Sequence, residues 1–281
     1  MAAGRAVKAW ALALAAAAGA YAQNYEAVPE APRQGETIHL RAPLAARTAR
    51  LNGRTVRLFP ESDAAVGLMP VPALEKPGDY TLEFLDRGEA VLHSETVAVR
   101  DARFPVQRIT LAPETAELKP APGEMEEADA FRRNVTDVRF WAEPFALPVP
   151  GCQTSPYGVR RVVNGKPTGS YHAGIDQRGA AGQPVRAIAA GVVRLVRQWS
   201  IHGNTVAVDH GQGVGSIYLH LSKFAVKEGA AVKQGDVVGY VGTTGRSTAP
   251  HLHWSLYING VPVNPGQWVK LQACAAAKAK R

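Results

Sequence analysis

The sequence predicts a mainly β protein: an N-terminal immunoglobulin-like β-sandwich, one connecting helix and a C-terminal antiparallel β domain. Three observations carry this expectation. Between residues 35 and 100, short runs alternate apolar and polar residues and are punctuated by turn residues. After a proline-bearing stretch, apolar residues recur at helical spacing. Most of the 27 Gly then fall within residues 151–266, a density that demands many tight turns between short strands. With 281 residues and 46% hydrophobic composition, the chain is long enough to bury a core in each of two units.

From the N-terminus, residues 1–22 read as a secretory signal peptide. Arg5 and Lys8 give a basic start, residues 9–20 an apolar run, and Ala20-Tyr21-Ala22 a small-residue cleavage site. The run falls short of the about 20 residues that span a bilayer, so stable membrane insertion is not expected. Residues 23–112 form the sandwich, with strands expected at 37–40, 55–59, 80–84 and 95–99. Asn52-Gly53, Pro77-Gly78-Asp79 and Arg87-Gly88 supply its turns, and His39 and His93 read as structural residues within it. Residues 113–150 are a linker, proline-bearing as far as Gly123 and then an amphipathic helix. Met125, Ala128, Phe131, Val135 and Val138 mark its apolar stripe. Glu124, Glu126 and Glu127 sit in its first turn, where the helix dipole favours acids. Residues 151–270 form the second domain, with strands expected at 185–196, 205–209, 216–221, 236–241 and 253–258. Residues 271–281 are a basic tail.

The formal net charge of +8 remains basic without Arg5 and Lys8 and favours polyanionic surroundings such as envelope polymers. No stacking-aromatic or helix-turn-helix pattern accompanies it, so nucleic acid is not an expected partner. The glycines contain no phosphate loop ending in Lys-Ser/Thr, which disfavours a nucleotide site. Cys152 and Cys274, the only cysteines, bracket the second domain. In an exported chain such a pair is expected to close as a disulfide between entry and exit.

The chemistry lies in the histidines. His172, His202, His210, His220, His251 and His253 all fall in the C-terminal half. Side chains two positions apart share one side of a strand but lie roughly 200° apart on a helix, so His251 and His253 can face one cavity. His172 and Asp176 keep the same parity, and Gly174 and Ile175 between them favour extended backbone. A single His is more often structural than a ligand. Two histidines and a carboxylate together are a recognised catalytic zinc set that leaves a fourth position open. Zinc would bring Lewis acidity for hydrolysis, and surplus imidazoles would move protons. The chain has neither an HExxH motif nor a GxSxG elbow. His202 and His210 lie in loop contexts and read as structural. Strand alternation places Tyr218, His220 and Ser222 toward a groove and Ile217, Leu219 and Leu221 toward the core. Tyr171, Asn204, and Arg160 or Arg161 are further groove candidates, the arginines as partners for a substrate carboxylate.

Four separated segments agree in order and spacing with one family. They are Tyr157-Gly158-Val159-Arg160-Arg161 with Asn164-Gly165, His172 to Asp176, Tyr218-Leu219-His220-Leu221-Ser222, and Pro250 to Trp254. Over roughly residues 150–268 the chain resembles the lysostaphin-like (LytM-type) peptidoglycan metallopeptidases. The resemblance implies a domain of the duplicated hybrid motif type and one zinc ion per chain, held by His172, Asp176 and His253. It implies that His220 and His251 are a catalytic pair that does not bind the metal. Ala249 stands where a Gly is common before the His-Leu-His segment, and Ser216 where a Thr is common before the Tyr. Neither departure touches the ligand set.

The expected function is therefore an exported zinc endopeptidase, acting as a monomer on peptide cross-links of bacterial peptidoglycan in the periplasm, cell envelope or extracellular space. The substrate class comes from the resemblance and not from residue spacing. The alternative is a non-catalytic wall-binding regulator that activates another hydrolase. Intact His172, Asp176 and His253 argue against it, because such a module needs no ligands.

Overall fold

The structure, a computed structural model, describes residues 24–275. The expected signal peptide and the charged end of the basic tail lie outside the described residues.

Residues 26–99 form two four-stranded antiparallel sheets. One is ordered Glu26–Val28, Thr37–Pro43, Ala64–Pro70, Phe59–Glu61, and the other Arg54–Arg57, Thr48–Leu51, Gly78–Leu85, Val91–Val99. Alternation sends Ile38, Leu40, Ala49, Leu51, Leu82, Phe84 and Val97 into one core between them, which makes a β-sandwich. The expected run at 55–59 divides at Leu58. Its N–H turns to the carbonyl of Arg47, so the residues before it pair in one sheet and those after it in the other.

The second unit is built on an eight-stranded sheet. Its path runs Gln153–Ser155, Ile175–Gln177, Leu252–Ile258, Val214–Leu221, Asn204–Gly211, Gly191–Gln198, Ala231–Val232, with Val261–Val263 pairing on Leu252–Ile258. Every pairing in it is antiparallel. One face buries Ile175, Val206, Val208, Tyr218, Leu252 and Trp254 in a core shared with a small sheet of Pro184–Arg186, Val237–Tyr240 and Lys223–Phe224. The single strand expected at 185–196 is two strands. Ala187, Ile188 and Ala189 form a buried crossing between the two sheets.

The opposite face is covered by the Glu124–Arg133 helix, whose Ala128 and Phe131 pack on Leu195, Trp199, Ala207, Ile217, Leu219 and Tyr257. The helix is shorter than its apolar stripe predicts. Asn134 turns to extended backbone and ends it, and Met125 and Val138 are exposed. Upstream, Val106–Ile109 pairs in parallel with Arg160–Val163, which forms a hairpin with Lys166–Tyr171. The chain joining the two units thus becomes a wall beside the large sheet.

The units also meet directly. The Thr37 N–H donates to Gln267 Oε1 at 2.7 Å, and Gln267 Nε2 donates back to the Thr37 carbonyl at 2.8 Å. Leu68 and Ala73 of the sandwich join the core of the second unit. Among the described residues, no helix is long and apolar enough to cross a membrane.

Cys152 and Cys274 form a disulfide across a separation of 122 residues. In the chain-entropy model, closing so long a loop stabilises by about 4–5 kcal/mol, less any strain. Replacing both with Ser should lower the denaturant midpoint and, because the unfolded chain can then expand further, steepen the slope of the transition. An unshifted midpoint would show that the bond contributes no stability.

Candidate metal centre

His172, Asp176 and His253 converge from different local structures. Asp176 stands directly opposite His253 where Ile175–Gln177 pairs with Leu252–Ile258, so both side chains leave the sheet on one side. Gly174 lets the chain arrive there, since a Cβ on it would lie 2.3 Å from the carbonyl oxygen of Trp254. The continuous extended run expected from His172 to Asp176 is not formed. His172 follows the Lys166–Tyr171 strand, and its main chain is tied to Val159 and Gly158 by hydrogen bonds of 2.8 Å each. His172 Nε2 lies 3.1 Å from Asp176 Oδ1 and 3.0 Å from His253 Nδ1, and His253 Nδ1 lies 2.9 Å from Asp176 Oδ1.

The outer ring atoms decide what faces inward. His172 Nδ1 donates to the Pro156 carbonyl at 2.8 Å, and His253 Nε2 lies 3.2 Å from Ser255 Oγ, which can accept its proton. An imidazole whose one N–H is so committed turns a lone pair to the centre. Burial lowers His253 to about 4 despite the pull of Asp176, so its ring is neutral near pH 7. Asp176 turns one carboxylate oxygen, Oδ1, toward both rings. Its other oxygen receives Arg161 Nη2 at 3.1 Å. Three lone-pair atoms so placed repel one another unless a cation lies among them. Their spacing approaches the roughly 3.3 Å edge of a tetrahedron with bonds of about 2.0 Å, and two nitrogens with one oxygen suit zinc.

His220 reaches the same space through a bulge. Asn204 stands opposite Leu221 and Val206 opposite Tyr218, so Leu219 and His220 together oppose Thr205. His220 takes φ 58, in the left-handed region. Two successive side chains, Leu219 and His220, then face the groove, while Tyr218 and Leu221 both enter the core. This overturns the expectation that Tyr218 lines the groove and Leu219 the core. The Tyr218 hydroxyl is buried, accepting from the Ile188 N–H at 2.9 Å and from Ser216 Oγ at 3.0 Å, and burial pushes its phenol up to about 12. Alternation fails because the extra residue resets the period.

His220 Nδ1 donates to the Thr244 carbonyl at 2.8 Å, and burial, reinforced by neighbouring His253, lowers the ring to about 3. His251 Nδ1 donates to the Ala249 carbonyl at 2.7 Å and leaves Nε2 3.7 Å from Asp176 Oδ1. The His220 and His251 ring centres are 5.5 Å apart. Both rings therefore present Nε2 to the groove.

The groove is a cavity of about 810 Å³. Of the other expected residues, Tyr171 and Arg161 border it. Arg160 and Asn204 do not. The Arg160 N–H is bound to the Pro105 carbonyl and its side chain is exposed, and Asn204 begins a strand with its N–H bound to Thr244 Oγ1. Residues without a sequence signal for the groove also border it, among them Gln107 and Ile109 from the connecting chain, Arg132 from the helix, and Arg246. His202, expected to be structural, holds Glu124 Oε1 with Nδ1 at 2.5 Å and also borders the groove. His210 fits the structural reading, being buried with Nδ1 donating to the Ala190 carbonyl at 2.8 Å.

Comparison with known proteins adds independent findings. The sequence model of peptidase family M23 matches residues 170–265. The chain is 46% identical over 114 residues to the DD-carboxypeptidase/endopeptidase Mpg of Neisseria meningitidis, a stretch that is 40% of this chain and 26% of that protein. It is 44% identical over 93 residues to the peptidoglycan DD-endopeptidase ShyA of Vibrio cholerae, 33% of this chain and 22% of that one. The matches thus span about a quarter of these curated relatives. A crystal structure of a peptidase M23 from Pseudomonas aeruginosa superposes with a TM-score of 0.64 at 30% identity, covering 84% of this chain and 94% of that chain.

Proposed function

We propose, from the premise that this chain belongs to peptidase family M23, that it is an exported zinc endopeptidase acting on peptide cross-links of bacterial peptidoglycan in the cell envelope. The observation that carries this reading is the convergence of three lone-pair atoms, from His172, Asp176 and His253, in a groove that holds two more imidazoles. A regulator without chemistry needs neither set.

Zinc, when bound, supplies Lewis acidity that makes water nucleophilic near neutral pH and polarises the scissile carbonyl. Every other contribution belongs to the chain. His172, Asp176 and His253 would hold the ion, with Arg161 fixing the second carboxylate oxygen. His251 and His220 are the candidates for proton transfer, each anchored by Nδ1 and open at Nε2. As water oxygen bonds to the carbonyl carbon, one ring takes the water proton. That proton passes to the leaving nitrogen as the C–N bond breaks, and a protonated Nε2 can donate to the oxyanion.

We further assign the cross-link as one that leaves a free carboxylate close to the scissile bond, as D-Ala to diaminopimelate links do, in preference to neutral glycine bridges. Two features support this: both curated relatives above carry DD-peptidase names, and the groove borders Arg246, which has no carboxylate within ion-pair range among the described residues. Digestion of purified wall followed by mass spectrometry of the released muropeptides tests it. Products cut at D-Ala are expected. Cleavage confined to glycine bridges would overturn the assignment, and intact wall with zinc-loaded protein would overturn the enzyme reading.

A further inference from the structure

Glu124 is the first residue of the Glu124–Arg133 helix and is entirely buried. The helix dipole does not require this, since Glu126 in the same turn serves it from an exposed position. A carboxylate withdrawn from water must be met by donors, and Glu124 is. It accepts from the main-chain N–H groups of Ser200 at 3.0 Å, Ile201 at 3.1 Å and His202 at 3.1 Å, from that of Ala121 at 2.8 Å, and from His202 Nδ1 at 2.5 Å. Three successive amides aimed at one carboxylate form a nest that fixes the loop at residues 200–202.

That loop passes its position on. The His202 carbonyl accepts the His220 N–H at 3.0 Å, and the Ile201 carbonyl accepts the Arg246 N–H at 2.8 Å. Arg246 follows closely on Thr244, whose carbonyl holds the His220 ring. The two segments touch at main-chain distance, for a Cβ on Gly245 would lie 2.4 Å from Gly203 N. His220 sits in a bulge with left-handed backbone, a conformation that its surroundings must impose. Both of its anchors, at main chain and at ring, lead back to the loop that Glu124 pins.

We infer that Glu124 is a positioning residue that acts from the connecting helix, through the 200–202 loop, to set the place and orientation of His220 in the groove. The helix thereby belongs to the reaction machinery, and a change at its first residue is felt by an imidazole it never touches. The kinetic part of this inference rests on the endopeptidase reading above.

The test uses the full mature chain loaded with zinc, comparing wild type, Glu124→Gln and, as a control in the same turn, Glu126→Gln. Three quantities are read: zinc per chain, kcat and KM on a soluble wall fragment, and the NMR resonance of the His220 Nδ1 proton. Glu124→Gln keeps the shape of the side chain while turning an amide toward donors. It should retain zinc and a KM within about twofold, lose about 10- to 100-fold in kcat, the scale of a small misplacement, and shift the His220 resonance. The His210 resonance and the Glu126→Gln kinetics should stay unchanged. An unmoved His220 resonance, or kcat within twofold of wild type, would overturn the inference. If wild type itself leaves the wall fragment intact, the endopeptidase reading fails, and the His220 resonance alone decides the role of Glu124.

Discussion

Replacing His172, Asp176 or His253 with Ala will release zinc and bring wall hydrolysis to background. Structural zinc sites bind with about 10–16 kcal/mol over four ligands, so one lost ligand weakens binding by about 100- to 1,000-fold. Asp176→Ala should be the most damaging of the three. It removes the only carboxylate at the centre among the described residues and also strands Arg161, whose Nη2 lies 3.1 Å from it. Asp176→Asn keeps the shape and removes the charge, and should fall between. Metal analysis after gel filtration, beside hydrolysis of purified wall, measures both. Stoichiometric zinc retained by Asp176→Ala would remove Asp176 from the ligand set.

His251→Ala and His220→Ala should instead keep zinc and lose at least about 100-fold in turnover, the usual scale for a positioned proton-transfer group or oxyanion donor. Neither ring belongs to the group of three whose ligand atoms converge. His220 needs a second variant, because its φ of 58 is itself strained. Asn tolerates left-handed backbone, so His220→Asn removes the imidazole while keeping a residue suited to the bulge. Equal loss in His220→Asn and His220→Ala assigns the effect to chemistry and not to backbone. A zinc-loaded His251→Ala protein with near-normal turnover would overturn the proton-transfer role.

Much of the fold was legible because it depends on local pattern. Alternating runs and turn residues locate strands in both sandwich sheets, though not Glu26–Val28, Thr48–Leu51 or Ala64–Pro70, and the parity of His251 and His253 points to one shared cavity. What escaped depends on contacts distant in sequence. The bulge at Leu219 and His220 arises from pairing with Asn204–Gly211, and nothing in the order Tyr218-Leu219-His220 announces that an extra residue resets the alternation. Plain alternation therefore assigns Tyr218 to the groove, whereas it lies in the core. Glu124 looked like one of three acids at a helix start, and its burial is set by a loop 76 residues away. Gln107 and Ile109 looked like mere connection. They border the groove because the chain there pairs with Arg160–Val163, and parallel pairing between distant segments leaves no periodic trace.

Three of the groove imidazoles take their orientation from peptide carbonyls, those of Pro156, Thr244 and Ala249. A carbonyl is common to every residue, so these positions constrain backbone shape while leaving side-chain identity open to drift. Ala249 illustrates the latitude: its backbone is not among the left-handed positions that favour glycine, and its oxygen meets the His251 ring at 2.7 Å. Variation that looks alarming beside a reactive histidine can thus be neutral, and an inventory of retained side chains would undercount what keeps such a site intact.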